Sequence, residues 1–153
     1  MGVRMLDIQK ISSLVLNKLY SVGWTANRHT DSAQRSIDEM IQHEGYAFFG
    51  YAYEVITALD GISFGFAKEE LTEYSLTACY GEIEFSVSEY GVEIYDPTEL
   101  KAEYSENVVP FGAINGQIIL LVGESQRIYA DMGKAGHEIV GENIEDFLNR
   151  CVR

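Results

Sequence analysis

Residues 108–132 read VVPFGAINGQIILLVGESQRIYADM, and the fold turns on how this stretch is read. Gln117-Ile118-Ile119-Leu120-Leu121-Val122 is a short apolar run rich in β-branched residues, with Asn115-Gly116 before it and Gly123-Glu124-Ser125-Gln126 after it. That length and those flanks predict a strand buried on both faces, because a helix needs a longer run. Asn-Gly tolerates the positive φ at both centre positions of a type I′ turn, so it predicts a tight hairpin. Residues 111–114, 117–122 and 127–131 are therefore expected to form an antiparallel meander at the centre of a sheet.

Outward from this stretch, Ile11, Leu14, Val15, Leu19 and Val22 recur at helical spacing and predict an amphipathic helix over 5–22, stopped by Gly23. The single tryptophan, Trp24, reads as a packing anchor, and Arg28 as a residue that stacks on it or holds a carboxylate. Asp31 or Ser32 is expected to cap a second helix carrying Ile37, Met40 and Ile41 and ending near Gly45. Phe48, Ala52, Val55, Ile56 and Leu59 mark a third, stopped at Asp60-Gly61. Its first turns hold Tyr46, Phe48, Phe49, Tyr51 and Tyr53, read as core in preference to a small-molecule pocket.

Two short β-prone segments follow, at 61–66 and 76–80. Residues 82–88 then alternate, with Ile83, Phe85 and Val87 on one face and Glu82, Glu84, Ser86 and Ser88 on the other. This is the pattern of an antiparallel strand with one wet face. Glu89-Tyr90-Gly91 reads as a turn, and 92–95 as a continuation. Asp96-Pro97-Thr98 opens a short helix with Glu99 and Glu103. After Gly141-Glu142-Asn143, Ile144, Phe147, Leu148 and Cys151 form the inner side of a closing helix, with Arg150 and Arg153 at its C-terminal end. The expected class is α+β: one domain over 1–153, mainly an antiparallel sheet, with N-terminal helices and a C-terminal helix packed around it.

With 153 residues and a 46% hydrophobic share, the chain is long and apolar enough to fold on a core of its own. No apolar run approaches the roughly 20 residues needed to cross a bilayer, and Asp7, Gln9, Asn17 and Lys18 break up any signal-like block near the start. A cytoplasmic protein with no membrane contact is expected. Cys79 and Cys151 are too few for a disulfide framework and read as reduced thiols, with pairing across the sheet as the alternative.

Recognisable chemistry is sparse. His29, His43 and His137 fall in three segments without a ligand-spaced partner, so they read as surface or loop histidines, and no metal or other cofactor is expected. The glycine-bearing segments at 61–65 and 112–116 lack the lysine and hydroxyl of a phosphate loop. No nucleophile elbow is present, and Cys79 has no nearby base. Catalytic residues are expected to be none.

Charge is the dominant signal. Of the net −13, ten units lie between Asp60 and Glu106, where twelve acids face only Lys68 and Lys101. Such a surface gains nothing from counterion release, so direct nucleic-acid binding is disfavoured, whereas a basic protein would be steered towards it. Tyrosines are interleaved with these acids, and tyrosine is enriched at interface cores. The candidate partner-binding set is Glu69, Glu70, Glu73, Glu82, Glu84, Glu89, Glu93, Tyr95 and Asp96, against the plainer reading of a solvated sheet edge.

Several motifs resemble a known family. Gly23-Trp24-x-x-x-Arg28 follows the first helix. Val109-Pro110-Phe111-Gly112 leads through Arg127-Ile128-Tyr129-Ala130 to Val140-Gly141-Glu142-Asn143-Ile144-Glu145-Asp146-Phe147-Leu148. Together these are similar to the SUKH superfamily, in the branch catalogued as its third. The likeness spans nearly the whole chain and is weakest over 68–106. One departure is the apolar segment after Gly112, where a more polar turn is expected. The resemblance implies an α+β fold without enzymatic activity. It also implies a bacterial immunity protein that neutralises a cognate toxin domain, often a nuclease, with Gly23, Trp24, Arg28, Pro110, Gly112 and Tyr129 as structural residues. The alternative is a cytosolic regulatory or scaffold module of the same fold with no toxin partner. The oligomeric state is left open.

Overall fold

A computed structural model describes residues 6–28, 30–67, 80–86 and 95–151. Six strands, β1 (Ser63–Ala67), β2 (Tyr80–Glu84), β3 (Val108–Ile114), β4 (Ile118–Gly123), β5 (Ile128–Asp131) and β6 (His137–Gly141), form one sheet in sequential order, every pair antiparallel. Among the described residues five α-helices accompany it: α1 (Ser13–Ser21), α2 (Asp31–Gln42), α3 (Gly50–Leu59), α4 (Pro97–Tyr104) and α5 (Ile144–Cys151). The fold is α+β, as the sequence predicts.

The central meander forms where expected. Asn115 and Gly116 both have positive φ, 54° and 67°, as the two-residue hairpin requires. All of β3 and β5 is buried, and β4 is buried from Ile119 onward. The apolar residues after Gly112 belong to β3 itself, and the polar turn begins only at Asn115. β6 was not expected. It pairs with β5 along one edge of the sheet, and its sequence, His137-Glu138-Ile139-Val140-Gly141, holds only two adjacent apolar residues and no alternation.

Pro110 and Gly112 shape the middle of the sheet. The β3–β4 register shifts between them, consistent with a proline that has no N–H for the ladder. A Cβ on Gly112 would lie 2.8 Å from the Glu84 carbonyl oxygen and 3.3 Å from Phe85 Cα, both backbone atoms of the crossing chain. Only glycine lets β2 come that close. Phe85 then stacks on Phe111 with ring centroids 5.9 Å apart.

The first helix starts later than the apolar spacing suggests. Residues 1–5 lie outside the described set, Ile8–Lys10 make a 3-10 turn capped by Asp7, and α1 begins after Ser12, whose hydroxyl accepts from Val15 N–H. Val15 and Leu19 are buried, but Leu14 and Val22 face solvent, so the inward stripe is narrower than predicted. In α2 the cap is Thr30, one residue before the expected Asp31 or Ser32, and Ile41 is exposed. α3 starts at Gly50, so Phe48 precedes the helix and packs against the core from outside it.

The Gly-Trp-x-x-x-Arg motif closes two helices. Gly23, at φ 94°, and Trp24 donate their N–H groups to Tyr20 O and Leu19 O, so α1 ends in the paired bonds of a left-handed C-cap. Trp24 is buried, and its Nε1–H donates to Ala58 O at 3.0 Å. Arg28 Nη1 donates to the same carbonyl and, at 2.7 Å, to Asp60 O. The last carbonyls of α3, which have no partner within the helix, are thereby satisfied from α1's loop. Asp60 receives the Ser32 hydroxyl at 3.1 Å, tying α2 to the same corner.

The closing helix is held similarly. Asn143 accepts from Asp146 N–H, the Asp146 carboxylate accepts from Glu142 N–H, and Ile144 N–H donates to the Tyr51 hydroxyl. A Cβ on Gly141 would meet Phe147 Cβ at 2.7 Å. Tyr53 donates to Gln34 and Tyr46 is buried, so the aromatic run around α3 is core and helix support, as favoured from sequence. Cys151 is a free, fully buried thiol whose pKa burial raises well above its ordinary value; Cys79 lies outside the described residues.

Candidate partner-binding face

Directly opposed residues of an antiparallel sheet share a face. One row therefore runs Ser63, Glu84, Ala113, Ile119, Asp131, His137 across all six strands. Glu82 lies two residues from Glu84 and shares its side, while Ile83 and Phe85 point the other way and are fully buried. The helix α4 covers the far half of the Glu84 side. Its Tyr104 hydroxyl donates to Asp131 Oδ2 at 3.1 Å, and its ring packs on Tyr129 and His137 at centroid distances of 4.8 and 4.1 Å.

The sheet thus sorts the acids. Glu82 and Glu84 are exposed on β2, and α4 brings Asp96, Glu99 and Glu103 to the same side. Asp96 has a structural duty as well, since its carboxylate accepts from Thr98 N–H as the N-cap of α4, with Pro97 in the first turn. Between α4 and the end of β5 opens a cleft of about 310 Å³ lined by Tyr95, Asp96, Glu99, Leu100, Glu103, Asp131 and Gly133. Asp131, 8% exposed, is fixed at its inner end by Tyr104 and by Gly133 N–H, which donates to Oδ1 at 2.8 Å. Tyr95 is turned to the same carboxylate. Burial first, and the negative charge of Asp131 second, push the Tyr95 and Tyr104 phenols far up, so both stay protonated donors.

The cleft acids are little neutralised from within. Among the described residues no lysine or arginine pairs with Asp96, Glu99, Glu103 or Asp131; the only ion-pair contact is His137 Nδ1 to Glu103 at 3.9 Å. Glu106 is different. Its carboxylate accepts from the Tyr129 hydroxyl at 2.5 Å, from Ser125 N–H at 2.7 Å and from the Ser125 hydroxyl at 2.8 Å, so it fastens the β4–β5 turn. Tyr129 has its structural role there. Among the described residues no group of three His, Cys, Asp or Glu side chains is arranged to hold a metal ion.

Of the motifs discussed above, Gly23, Trp24, Arg28, Gly112, Gly141 and Asn143 serve caps, a close backbone approach or a helix start. The family model described as SUKH-3 immunity protein matches residues 11–153. The chain belongs to the SUKH-3 immunity protein family. No curated protein and no solved structure matches it.

For this SUKH-3 chain, Glu82, Glu84, Tyr95 and Asp96 of the sequence-selected set come to one side of the sheet. Glu69, Glu70, Glu73, Glu89 and Glu93 lie outside the described residues, as does His29. Sequence reasoning stopped the set at Asp96 and left out Glu99, Glu103, Asp131 and Tyr104. The spacing of Glu99 and Glu103, one helical turn apart beside Asp96, was the available signal. Asp131 gave none, because its side is fixed only by strand register. Among the described residues no helix is long and apolar enough to cross a membrane.

Proposed function

We propose that this protein is a bacterial immunity protein, acting in the cytoplasm as one SUKH-like domain over 1–153, that binds and neutralises a cognate basic toxin domain of nuclease type. It performs no reaction and takes no cofactor, nucleic acid or membrane as partner. The contact surface is the α4 side of the sheet, with Glu82, Glu84, Tyr95, Asp96, Glu99 and Glu103; Glu69, Glu70, Glu73, Glu89 and Glu93 are assigned to the same contact from the sequence alone and lie outside the described residues.

One observation carries this reading. The register and α4 gather carboxylates on one side of the sheet, with few internal cations, in a chain whose family is one of immunity proteins. A nuclease domain must hold phosphates and therefore presents positive charge, which such a face would attract and orient. The test is co-expression with the C-terminal domain of the toxin encoded beside this gene, followed by affinity measurement at several salt concentrations. Growth rescue and a complex that weakens as salt rises are expected. Replacing Glu82, Glu84, Glu99 and Glu103 by Gln should lower affinity by about tenfold or more at low salt. Unchanged binding in that variant would remove the face from the interface, and a lack of rescue by wild type would remove the toxin.

A further inference from the structure

The seam between β2 and β3 is the shortest in the sheet among the described residues. It registers at Ile83↔Ile114 and Glu84↔Ala113, whereas β1 and β2 pair at every position from Ser63 to Ala67. β2, which carries Glu82 and Glu84, therefore joins the central meander through little backbone pairing. At one end of this seam Phe85 is fully buried and stacks on Phe111, so packing fixes that end. At the other end, the next position along the register sets Glu82 opposite Asn115, in the exposed β3–β4 turn.

Asn115 pairs with Glu82 in an unusual way. Its N–H donates to Glu82 O at 2.9 Å, as a strand residue would. Its backbone, however, is left-handed, with φ 54°, because the tight turn requires it. That conformation departs from a strand's, and the acceptor for Glu82 N–H is the side-chain oxygen Oδ1, at 2.9 Å. The amide side chain thus completes a pairing that the turn would otherwise cut short. Glycine would take the left-handed backbone at no cost but has no acceptor to offer, and most other residues would be strained there. Asparagine and aspartate combine the backbone with the acceptor.

We propose that Asn115 is a positioning residue for the partner face: through Oδ1 it pins the backbone of Glu82 and so sets where the Glu82 carboxylate stands. The continued register places Asn115 on the same side of the sheet as Glu82 and Glu84, beside the acids it serves. A carboxylate held on a pinned strand meets a partner with less ordering cost than one on a strand end that frays. The proposal rests on the toxin-binding reading for what the face meets, whereas the pin itself is measured without the toxin.

The experiment follows amide hydrogen exchange by NMR in the intact wild type, Asn115→Gly and Asn115→Asp. In Asn115→Gly, exchange at the Glu82 amide should quicken about fivefold, because one hydrogen bond is lost while the turn is kept. The effect should be smaller at Glu84 and absent at Phe85, whose N–H donates to Ile62 O on the β1 side, and at Leu120 and Tyr129 in the meander. Asn115→Asp should restore the protection, since its carboxylate oxygen accepts the same bond. With the C-terminal domain of the neighbouring toxin gene, Asn115→Gly should lower affinity about threefold in the wild-type background and leave it unchanged in E82Q. Wild-type exchange at Glu82 in Asn115→Gly, faster exchange spread evenly over β3 to β5, or no restoration by Asn115→Asp would overturn the pin. An affinity loss that persists in E82Q would overturn the positioning of Glu82. Failure of the wild type to bind the toxin domain would instead remove the toxin-binding reading, with the pin still decided by exchange.

Discussion

The α3 corner and the α4 side of the sheet use polar residues in opposite ways. At the α3 corner these polar groups are consumed internally: Trp24 and Arg28 on the carbonyls of Ala58 and Asp60, Ser32 on Asp60, Tyr51 on Ile144. On the α4 side, Glu82, Glu84, Glu99 and Glu103 are exposed acids, and among the described residues only Glu103 has an ion-pair contact, a distant one to His137. Groups already paired inside a fold have little left to offer a partner. Groups held rigidly but unpaired are available to one. The family's motif residues therefore hold the scaffold, and the acids on the α4 side are left available, as the proposed partner face requires.

That contrast predicts a sharp division between stability and binding. Trp24→Ala should cost about 3–5 kcal/mol in urea unfolding, since it removes a fully buried ring and the donor that closes α3. Refolded protein should nonetheless bind its partner with unchanged affinity. Gly112→Val comes next, at about 1–3 kcal/mol, because its Cβ meets backbone that cannot step aside; equal stability to wild type would show that β2 can shift after all.

A smaller effect is read through pH. Burial raises the Asp60 pKa above its ordinary value, partly offset by the Ser32 hydrogen bond and the Arg28 charge. The folded chain then holds that proton more tightly than the unfolded one, so this group adds stability at low pH and loses it as pH rises through the raised pKa. The difference in melting temperature between wild type and Asp60→Asn should therefore shift in favour of wild type as pH falls from 7 towards 4. A difference independent of pH would place the Asp60 charge outside the energetics of that corner. Smallest of all is the stability change of the Glu82, Glu84, Glu99 and Glu103 quadruple Gln variant, within about 0.5 kcal/mol per site or slightly stabilising through relief of repulsion. A large loss there would mean these acids are structural, and the division would collapse.

How much was legible depended on whether the signal was local. Asn115-Gly116 and the run to Val122 announced the hairpin because turn chemistry and burial both act within a few residues. Asp96-Pro97 announced α4 for the same reason. The start of α1 was misjudged because Ile11 is buried four residues before Val15, a helical interval, although the chain just before it makes only a 3-10 turn. β6 was invisible because an edge strand is recruited by backbone pairing with β5 more than by its own side chains. The alternation of Glu82 and Glu84 against Ile83 and Phe85 gave their outward direction. Only long-range register could reveal that Asp131 and α4 share their side. The tyrosine-rich lead into α3 read correctly as core, yet nothing in sequence could mark the Tyr46 hydroxyl and a Glu138 carboxylate oxygen as the buried polar atoms left without a partner among the described residues.

The sheet's strict β1-to-β6 order carries a kinetic consequence. Each strand joins only its predecessor in the chain, so assembly needs a series of modest loop closures and never has to thread a late strand into an early gap. Sequential pairing keeps the contact order below that of an interleaved sheet of the same strands, which favours faster folding than such a sheet would show. For the immunity role proposed above, maturing early matters as much as gripping tightly.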